Sequence, residues 1–379
     1  MKYRIAQRLI AFCVASLMSA FASCPAIAAT TVYSNDFENG VGKEWSSDKI
    51  EVTPKDNRHF LGGFTTDKLT FKVDKIPAHK FLRISMKLYI MMSWDGNGTT
   101  TPGGMTIGPD VFRMNVEGGP MLVDATFSNM DFEASTIPAA ANTQSYPSVL
   151  PGDIFPAKTG AVESNSLGFE WNTNRINRQM DSVYQLSFVI PHEQAEMQLN
   201  FQGAEGLAPA DDECWGLDDV KIEALGEGEV KKLDVIEMRK LWETIGGHDP
   251  VAEAEAFWRL AAGGDEVAKF MGGKIRPLHP DKKLFNKLVA QLDGDDFQGR
   301  EKATDELKEM GPAIEGLLRD AIEKADSAEV KLRLETALKG MAQAVPVDPE
   351  MRRRAIGMKL LKVIGTKEAE KVAGELSGK

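Results

Sequence analysis

The residue whose chemistry most needs explaining is Asp218, in the stretch Cys-Trp-Gly-Leu-Asp-Asp-Val-Lys-Ile at residues 214–222. If this stretch is a β-strand, alternation places Asp218 on the same face as Val220, Ile222 and Ala224. These apolar side chains make that face the predicted core face, so we expect Asp218 to point inward. A carboxylate in such a place needs hydrogen-bond donors, a paired cation or a metal ion.

A second group with possible chemistry is Trp94-Asp95-Gly96-Asn97, which directly follows a predicted strand and opens a loop rich in Gly and Thr at residues 96–104. An aromatic ring beside Asp and Asn side chains in a loop is the composition of a sugar-binding site. Trp94, Asp95 and Asn97 are therefore the candidate ligand-binding residues. The alternative, which we favour, is a turn whose Trp packs beneath its own loop.

Motifs for catalysis are missing from the sequence. The five histidines are widely spaced, and there is no Gly-x-Ser-x-Gly elbow, phosphate-binding loop or dinucleotide fingerprint. No strand carries the paired carboxylates of a sandwich glycosidase, and the acidic run at residues 211–213 is predicted to be a solvated loop. We expect no catalytic activity, and the alternative is a glycoside hydrolase with an unrecognised carboxylate pair.

The first 28 residues have the three parts of a secretory signal peptide. Three basic residues lie within the first eight positions, an uncharged and mostly apolar run follows at residues 9–22, and Ala-Ile-Ala ends at Ala28. We predict cleavage near Ala28 and a location outside the cytoplasm, as a secreted, periplasmic or cell-envelope protein. A lipoprotein attached through Cys24, or an uncleaved anchor, is the alternative.

The mature chain is acidic, because removing the three positive charges of the signal peptide takes the formal net charge from −11 to −14. Such a chain repels nucleic acid and anionic lipid, so neither is a predicted partner. No other apolar segment is long enough to insert into a membrane. Cys214 is the one cysteine after residue 28, which excludes an intrachain disulfide in the mature chain.

Residues 29–225 are predicted to form an antiparallel β-sandwich, because short alternating segments are separated by Gly, Pro, Asn and Asp clusters with no helical period between them. The predicted strands lie at residues 31–37, 68–73, 81–90, 111–116, 121–127, 161–169, 184–190, 197–201 and 215–222.

The ends of this region carry a family resemblance. The opening Asp36-Phe37-Glu38, Trp45 and the closing Leu-Asp-Asp-Val at residues 217–220 resemble the extracellular MAM-type jelly roll and related carbohydrate-binding modules, which are concanavalin A-like sandwiches. A family of secreted bacterial proteins with a lectin-like domain is more similar still. The shared motifs are Ser-Trp-Asp-Gly-Asn (93–97), Gly-Pro-Asp (108–110), Thr-Phe-Ser-Asn (126–129), Gln-Ser-Tyr-Pro (144–147), Thr-Gly-Ala-Val (159–162), Asp-Ser-Val-Tyr (181–184) and Trp-Gly-Leu-Asp-Asp-Val (215–220).

The resemblance implies a jelly roll whose first and last strands are neighbours, and it implies no particular activity. In such folds a structural Ca²⁺ often lies where those two strands meet. By that resemblance, Glu38 and Asp218 are predicted side-chain ligands, with Asp36 and main-chain carbonyls completing the shell. The alternative is that Asp218 accepts hydrogen bonds from backbone N–H groups or pairs with an arginine. The family usually has Asn where this chain has Asp219, so the role of that position stays open.

After a linker at residues 226–231, residues 232–379 are predicted to be all-α. Asp249 before Pro250 is a helix start, Gly311 and Gly365 are helix ends, and the basic run at residues 352–354 is a predicted solvated face. Further helices are predicted at residues 281–292, 296–310, 313–325, 327–343, 349–364 and 367–377.

A repeated pattern in this half resembles HEAT repeats. Equivalent positions are occupied by Arg300, Lys331 and Arg354, each preceded by an acidic cap at Asp296, Asp326 and Asp348. The resemblance implies a short α-solenoid that binds a protein partner along one face, or contacts the sandwich itself.

These patterns together predict an α+β multidomain chain, with a jelly-roll β-sandwich followed by a HEAT-like helical module. The predicted function is that of an exported, non-catalytic binding protein. Its sandwich would recognise carbohydrate or cell-envelope material, and its helices would bind a protein. The alternatives are the glycoside hydrolase considered above and a purely structural envelope protein.

Overall fold

The computed structural model describes residues 29–98, 104, 107–131, 139–150, 152–172, 177–203, 207, 211–275, 281–343 and 349–377. The predicted signal peptide, with Cys24, lies outside the described residues. So do residues 99–103, which belong to the predicted loop after Trp94, and Asp348, one of the predicted caps.

The described residues of the first half form fifteen β-strands. They are β1 (Thr30–Asn35), β2 (Ile50–Val52), β3 (His59–Phe64), β4 (Lys68–Val73), β5 (Phe81–Met92), β6 (Val111–Val116), β7 (Met121–Thr126), β8 (Thr143–Gln144), β9 (Phe155–Pro156), β10 (Glu163–Ser164), β11 (Glu170–Asn172), β12 (Asn177–Gln179), β13 (Asp181–Pro191), β14 (Met197–Gly203) and β15 (Glu213–Leu225).

Two antiparallel sheets make the predicted sandwich, which is confirmed. The larger sheet has the order β10-β13-β5-β15-β3-β2, and the smaller has the order β4-β14-β6-β7. β15 pairs with β5 on one side, and β3 and β1 share its other side. The first strand and the last strand of the sandwich are therefore neighbours, with Asn35 opposite Val220.

The main core fills the space between the two sheets. Along β5, Leu82, Ile84 and Met86 are fully buried, whereas the residues between them are partly exposed, as period-2 alternation requires. Leu199 and Phe201 enter the same core from the smaller sheet. A second cluster, around Tyr89 and Phe60, covers the opposite face of the larger sheet.

The described residues of the second half form nine α-helices, which confirms an all-α part. They are α1 (Val235–Thr244), α2 (Pro250–Ala261), α3 (Gly264–Gly272), α4 (Lys282–Gln291), α5 (Phe297–Glu309), α6 (Glu315–Lys324), α7 (Ala328–Gln343), α8 (Pro349–Ile364) and α9 (Lys367–Leu376). Asp249 and Asp296 accept hydrogen bonds from the first turns of α2 and α5, which confirms these two predicted caps. The predicted cap at Asp326 is wrong, because the hydroxyl of Ser327 accepts from the N–H of Val330 at the start of α7. Gly311 and Gly365 have positive φ angles of 65° and 62°, as helix-ending glycines do.

The helices bury two separate apolar clusters. One is shared by α1, α2, α3, α8 and α9, and the other by α4 to α7. In a linear solenoid each repeat contacts its neighbours in sequence. Here α9 packs against α3, so the last two helices return to the first three and α4 to α7 form an excursion between them.

The helical half covers an open edge of the sandwich. β10 pairs with β13 at two residues only, and α2 and α8 contact β13. Trp258 of α2 meets Phe188 of β13 edge to face, with ring centroids 4.7 Å apart. Covering a strand edge in this way removes a site at which other chains could pair.

Charged side chains also join the two halves. Arg352 of α8 binds Asp153 of the sandwich and Glu253 of α2, and Asp153 and Glu253 are buried. The neighbouring Arg353 donates to the carbonyl of Ile245. The prediction that residues 352–354 form a solvated face is wrong, because these guanidinium groups bind acceptors at contacts between elements.

In the part of the chain that the structure describes, no helix combines the length and the apolar character that a membrane crossing requires.

Candidate functional site

Asp218 is buried, as predicted, but on the other face of the sheet. The pairing of β15 with β5 is irregular between Asp218 and Lys221, and Asp219 has a φ of 49°. The extra residue of this β-bulge shifts the alternation by one. Leu217 and Val220 therefore both reach the main core, whereas Asp218 points to the opposite face. The prediction of a shared face with Val220 is wrong for this reason.

The Asp218 carboxylate is satisfied by protein donors. The hydroxyl of Tyr89 donates to Oδ2 at 2.7 Å, and the main-chain N–H of Asp219 donates to Oδ1 at 2.7 Å. Burial raises the pKa of Asp218 above its usual value. The bulge also explains position 219, since Asn and Asp tolerate a positive φ better than other side chains do.

The other two predicted calcium ligands, Glu38 and Asp36, are exposed. Glu38 accepts from the main-chain N–H of His59 at 3.1 Å and contacts His59 Nδ1 at 2.7 Å, and these hydrogen bonds lower its pKa. Asp36 accepts from the N–H of Glu38. Among the described residues, the three carboxylates whose oxygens converge are a different set, and it includes none of Glu38, Asp36 and Asp218.

The predicted sugar-binding residues after β5 have structural partners. Trp94 is fully buried, and its indole N–H donates to the carbonyl of Cys214 at 3.0 Å. Asn97 donates to Thr143 and accepts from Thr126. The ring of Trp94 therefore offers no face to a sugar, and it meets the ring of Phe127 edge to face, with centroids 6.4 Å apart.

Asp95 belongs to the converging set, with Asp110 and Glu213. One carboxylate oxygen from each of the three lies within 4.8 Å of the others. Asp110 is fully buried and Glu213 is nearly so. The prediction of a solvated acidic run at residues 211–213 is therefore wrong for Glu213, whereas Asp211 is exposed. Burial, with the charge of Asp212, raises the pKa of Asp95 to about 7. Burial and then the charge of Glu213 raise the pKa of Asp110 far above its usual range.

Sequence reasoning could have found part of this set. Asp110 lies in the Gly-Pro-Asp motif just before a predicted strand, and Asp95 was a candidate for another role. The sequence did not indicate a role for Glu213, because this residue was assigned to the end of a loop, whereas it is the first residue of β15.

A cleft of about 750 Å³ lies between the halves, where β7 and β13 face α2. Its size is that of a site for a small molecule or a short polymer segment. Two partly buried aromatic rings line it, those of Tyr146 and Trp258. Gln185 and Ser187, two exposed outward side chains of β13, also line the cleft.

Charged side chains also line the cleft. Arg259 and Glu255 lie on the helical wall, and Lys359 donates to the carbonyl of Val149 at the far side. Outward polar residues on the strand at 184–190 follow from the predicted alternation. The opposite wall of the cleft is α2, which is distant from β13 in sequence, so the cleft could not be predicted from the sequence.

The outer face of the smaller sheet is the second polar surface of the sandwich. Gln198, Asn200 and Gln202 alternate with core residues along β14, and Gln202 lies beside Arg113, which pairs with Asp124 at 2.9 Å. Among the described residues of the sandwich, the exposed large apolar side chains are Val52, Met121, Ile154 and Val162, and none is aromatic. This face has hydrogen-bonding groups without rings to stack on.

No family model matches the chain, and no curated protein does. Several solved structures resemble part of it. The K3 cleaved adhesin domain of Lys-gingipain from Porphyromonas gingivalis is 11% identical with a TM-score of 0.24, and the match covers 51% of this chain and 98% of that one. A carbohydrate-binding module specific for non-crystalline cellulose is 12% identical with a TM-score of 0.23, over 48% and 89%.

Dimeric latent PorU from Porphyromonas gingivalis is 11% identical with a TM-score of 0.22, over 44% of this chain and 11% of that one. This chain therefore spans only a small part of PorU. These similarities are partial. By its own strand and helix order, the chain is an α+β protein with an antiparallel β-sandwich joined to an all-α half.

Proposed function

We propose that the protein is an exported, non-catalytic binding protein whose cleft between the sandwich and α2 holds a glycan segment of cell-envelope or extracellular material. The observation that carries the proposal is the cleft itself, with two aromatic rings beside an amide and a hydroxyl. Sugar rings present apolar faces edged by hydroxyl groups. Such a ligand suits a site that combines aromatic surface with a few polar groups.

The side-chain amide of Gln185 would hydrogen-bond to sugar hydroxyl groups. Its Nε2 donates to the carbonyl of Met86 at 3.1 Å, which fixes the orientation of the side chain. A polar group held in one orientation costs less conformational entropy on binding than a mobile one does.

Absence of catalysis is part of the proposal, and the burial of the converging carboxylates supports it. Glycoside hydrolysis needs two carboxylates that flank the scissile bond. The converging carboxylates Asp110 and Glu213 are 0% and 5% exposed, so a polysaccharide chain cannot reach them without a rearrangement.

The test is a glycan array followed by calorimetry on the purified chain. We expect binding without release of reducing sugar, and Gln185→Ala with Ser187→Ala should weaken it by about tenfold or more, the loss of one or two hydrogen bonds. Gln202→Ala, on the outer face of the smaller sheet, is the matched control and should bind normally. If Gln202→Ala abolishes binding instead, the ligand lies on that face, and release of reducing sugar would favour a hydrolase.

We also propose that α4 to α7 contact a protein partner. Phe297 is 60% exposed, and the guanidinium groups of Arg300 and Arg333 each lie 5.7 Å from its ring centroid. Aromatic and arginine side chains are enriched at interface hot spots. Phe297→Ala should reduce capture of the partner by at least about tenfold, whereas Ile236→Ala, an exposed apolar residue of α1, should not.

A further inference from the structure

We propose that Asp95, Asp110 and Glu213 bind one Ca²⁺ ion, which fastens the turn after β5 and the residue before β6 to the first residue of β15. This site differs from the predicted one at Glu38, Asp36 and Asp218. It is also independent of the glycan cleft, which shares none of its residues.

The unsatisfied oxygen of Asp110 is the first step of the argument. Asp110 is fully buried, and its Oδ2 accepts the main-chain N–H of Asp95. Its Oδ1 is also buried and has no hydrogen-bond partner among the described residues. A buried carboxylate oxygen without a donor is destabilising. A ligand that accepts this lone pair removes the cost, and a cation is such a ligand.

The charges around Asp110 are the second step. Those that act on it belong to Glu213, Asp95 and Asp212, and all have the same sign. Like charges this close cannot all stay ionised in a buried place unless a cation joins them. Asp212 has donors of its own, since the indole N–H of Trp171 donates to its Oδ1 at 2.6 Å. The three carboxylates whose oxygens converge, those of Asp95, Asp110 and Glu213, are the ligand set.

The kind of ion follows from the donor atoms. The three residues offer only carboxylate oxygens, so a hard cation is favoured over zinc, which prefers nitrogen and sulfur. Mg²⁺ usually binds one or two protein carboxylates and keeps most of its waters, whereas Ca²⁺ accepts a larger set. Two oxygens on opposite sides of a Ca²⁺ ion are about 5 Å apart, twice a bond of 2.3–2.6 Å. The three oxygens lie within 4.8 Å of one another, which is compatible with that shell.

The positions of the three residues give the ion a structural role. Asp95 lies three residues after the end of β5, Asp110 immediately precedes β6, and Glu213 begins β15 opposite Met92. β5 and β15 belong to the larger sheet and β6 to the smaller. One ion here would therefore crosslink the two sheets at one end of the sandwich.

The test uses the purified full chain after chelation, with Ca²⁺ alone as the first probe. We expect one bound Ca²⁺ per chain by calorimetry and a rise in melting temperature that Mg²⁺ at the same concentration does not reproduce. Tb³⁺ should show emission sensitised by tryptophan, because Trp94 adjoins Asp95. Absence of any Ca²⁺-dependent change in the wild-type chain would overturn the proposal.

Variants separate this site from the predicted one. Asp110→Asn keeps the shape and removes a charge, so in chelator it should melt at or above the wild-type temperature, yet lose Ca²⁺ affinity by at least about tenfold. Asp95→Asn, which is less buried, gives the same readout if Asp110→Asn does not fold. Glu38→Gln should bind Ca²⁺ like the wild type. Loss of binding in Glu38→Gln with retention in both aspartate variants would place the ion at the β1–β15 seam and reject this site.

Discussion

Arg352 binds Asp153 through two parallel hydrogen bonds of 2.7 Å each, from its two terminal nitrogens to the two carboxylate oxygens. The residues are 199 positions apart in the chain and belong to different halves of the protein. Glu253 of α2 accepts from the same guanidinium group. One arginine thus neutralises two buried carboxylates where the sandwich meets the helices.

Arg352→Ala should destabilise the chain by about 3–5 kcal/mol, because it leaves Asp153 and Glu253 buried without their cation. Urea denaturation followed by tryptophan fluorescence measures this. The matched control is Arg319→Ala, which breaks an exposed pair with Glu315 and should cost at most about 1 kcal/mol. Equal effects of the two substitutions would mean that the network between the halves adds no stability.

Tyr89→Phe should destabilise the chain by about 1–3 kcal/mol, since it removes a donor from the buried carboxylate of Asp218. A double-mutant cycle with Asp218→Asn isolates the contact. If the hydroxyl acts through Asp218, the double variant should be more stable than the sum of the single effects predicts, by about 0.5 kcal/mol or more. Strict additivity would show that the two groups do not interact energetically.

The stacked pair of His79 and His192 should make stability depend on pH. His79 Nε2 and His192 Nδ1 share a hydrogen bond of 2.8 Å, and burial, followed by the influence of His79, lowers the pKa of His192 to about 4. The Lys80–Glu193 ion pair adjoins them. Between the unfolded value, about 6.5, and about 4, the unfolded chain binds more protons than the folded one.

Stability should therefore be unaffected by this group above pH about 6.5, and should fall as the pH decreases towards about 4, with a slope of at most about 1.4 kcal/mol per pH unit. His192→Gln should reduce that slope in urea titrations across this range. His248→Gln, at an exposed histidine, is the control and should leave the slope unchanged. The idea is wrong if His192→Gln and the wild type lose stability in parallel.

Gly216→Ala should destabilise the sandwich by about 1–3 kcal/mol through overpacking. A Cβ at this position would lie 2.5 Å from Cδ2 of Phe60 and 3.1 Å from the carbonyl oxygen of Leu61. Gly374→Ala on α9 is the contrasting variant. Its Cβ would meet open space, so helix propensity should make it neutral or stabilising by up to about 1 kcal/mol. Thermal melts of both variants decide the matter, and an unaltered melting temperature for Gly216→Ala would contradict the packing described here.

The elements with a clear period were predictable from the sequence. The predicted strands at 68–73 and 111–116 have the observed bounds, and the predicted helices 349–364 and 367–377 are within one residue of α8 and α9. β3 was missed because two adjacent glycines, Gly62 and Gly63, interrupt its alternation. A strand of this kind is recognised only once β15 lies beside it.

The candidate sites were less predictable for two physical reasons. Strand alternation is a local rule. A single bulge at Asp218 and Asp219 shifts the alternation by one residue, so the side chains before and after the bulge no longer follow one alternating pattern. The burial of a charge, in contrast, depends on partners that are far away in sequence. Arg352 and Glu213 are charged residues of the kind usually found at the surface. Only in the folded chain does Arg352 meet its carboxylate partners and Glu213 lie beside β5.

The return of α8 and α9 to α1–α3 has a consequence for how the protein is made. The first apolar cluster of the helical half lacks two of its five contributing helices until residues 349–376 have been synthesised. Asp153 and Glu253 likewise lack their paired cation until Arg352 has been synthesised. A nascent chain can thus complete its sandwich early, but the contact between its halves forms only after α8 has emerged. A truncation that removes α8 would therefore leave the two halves without this contact, even if the rest of the sequence were intact.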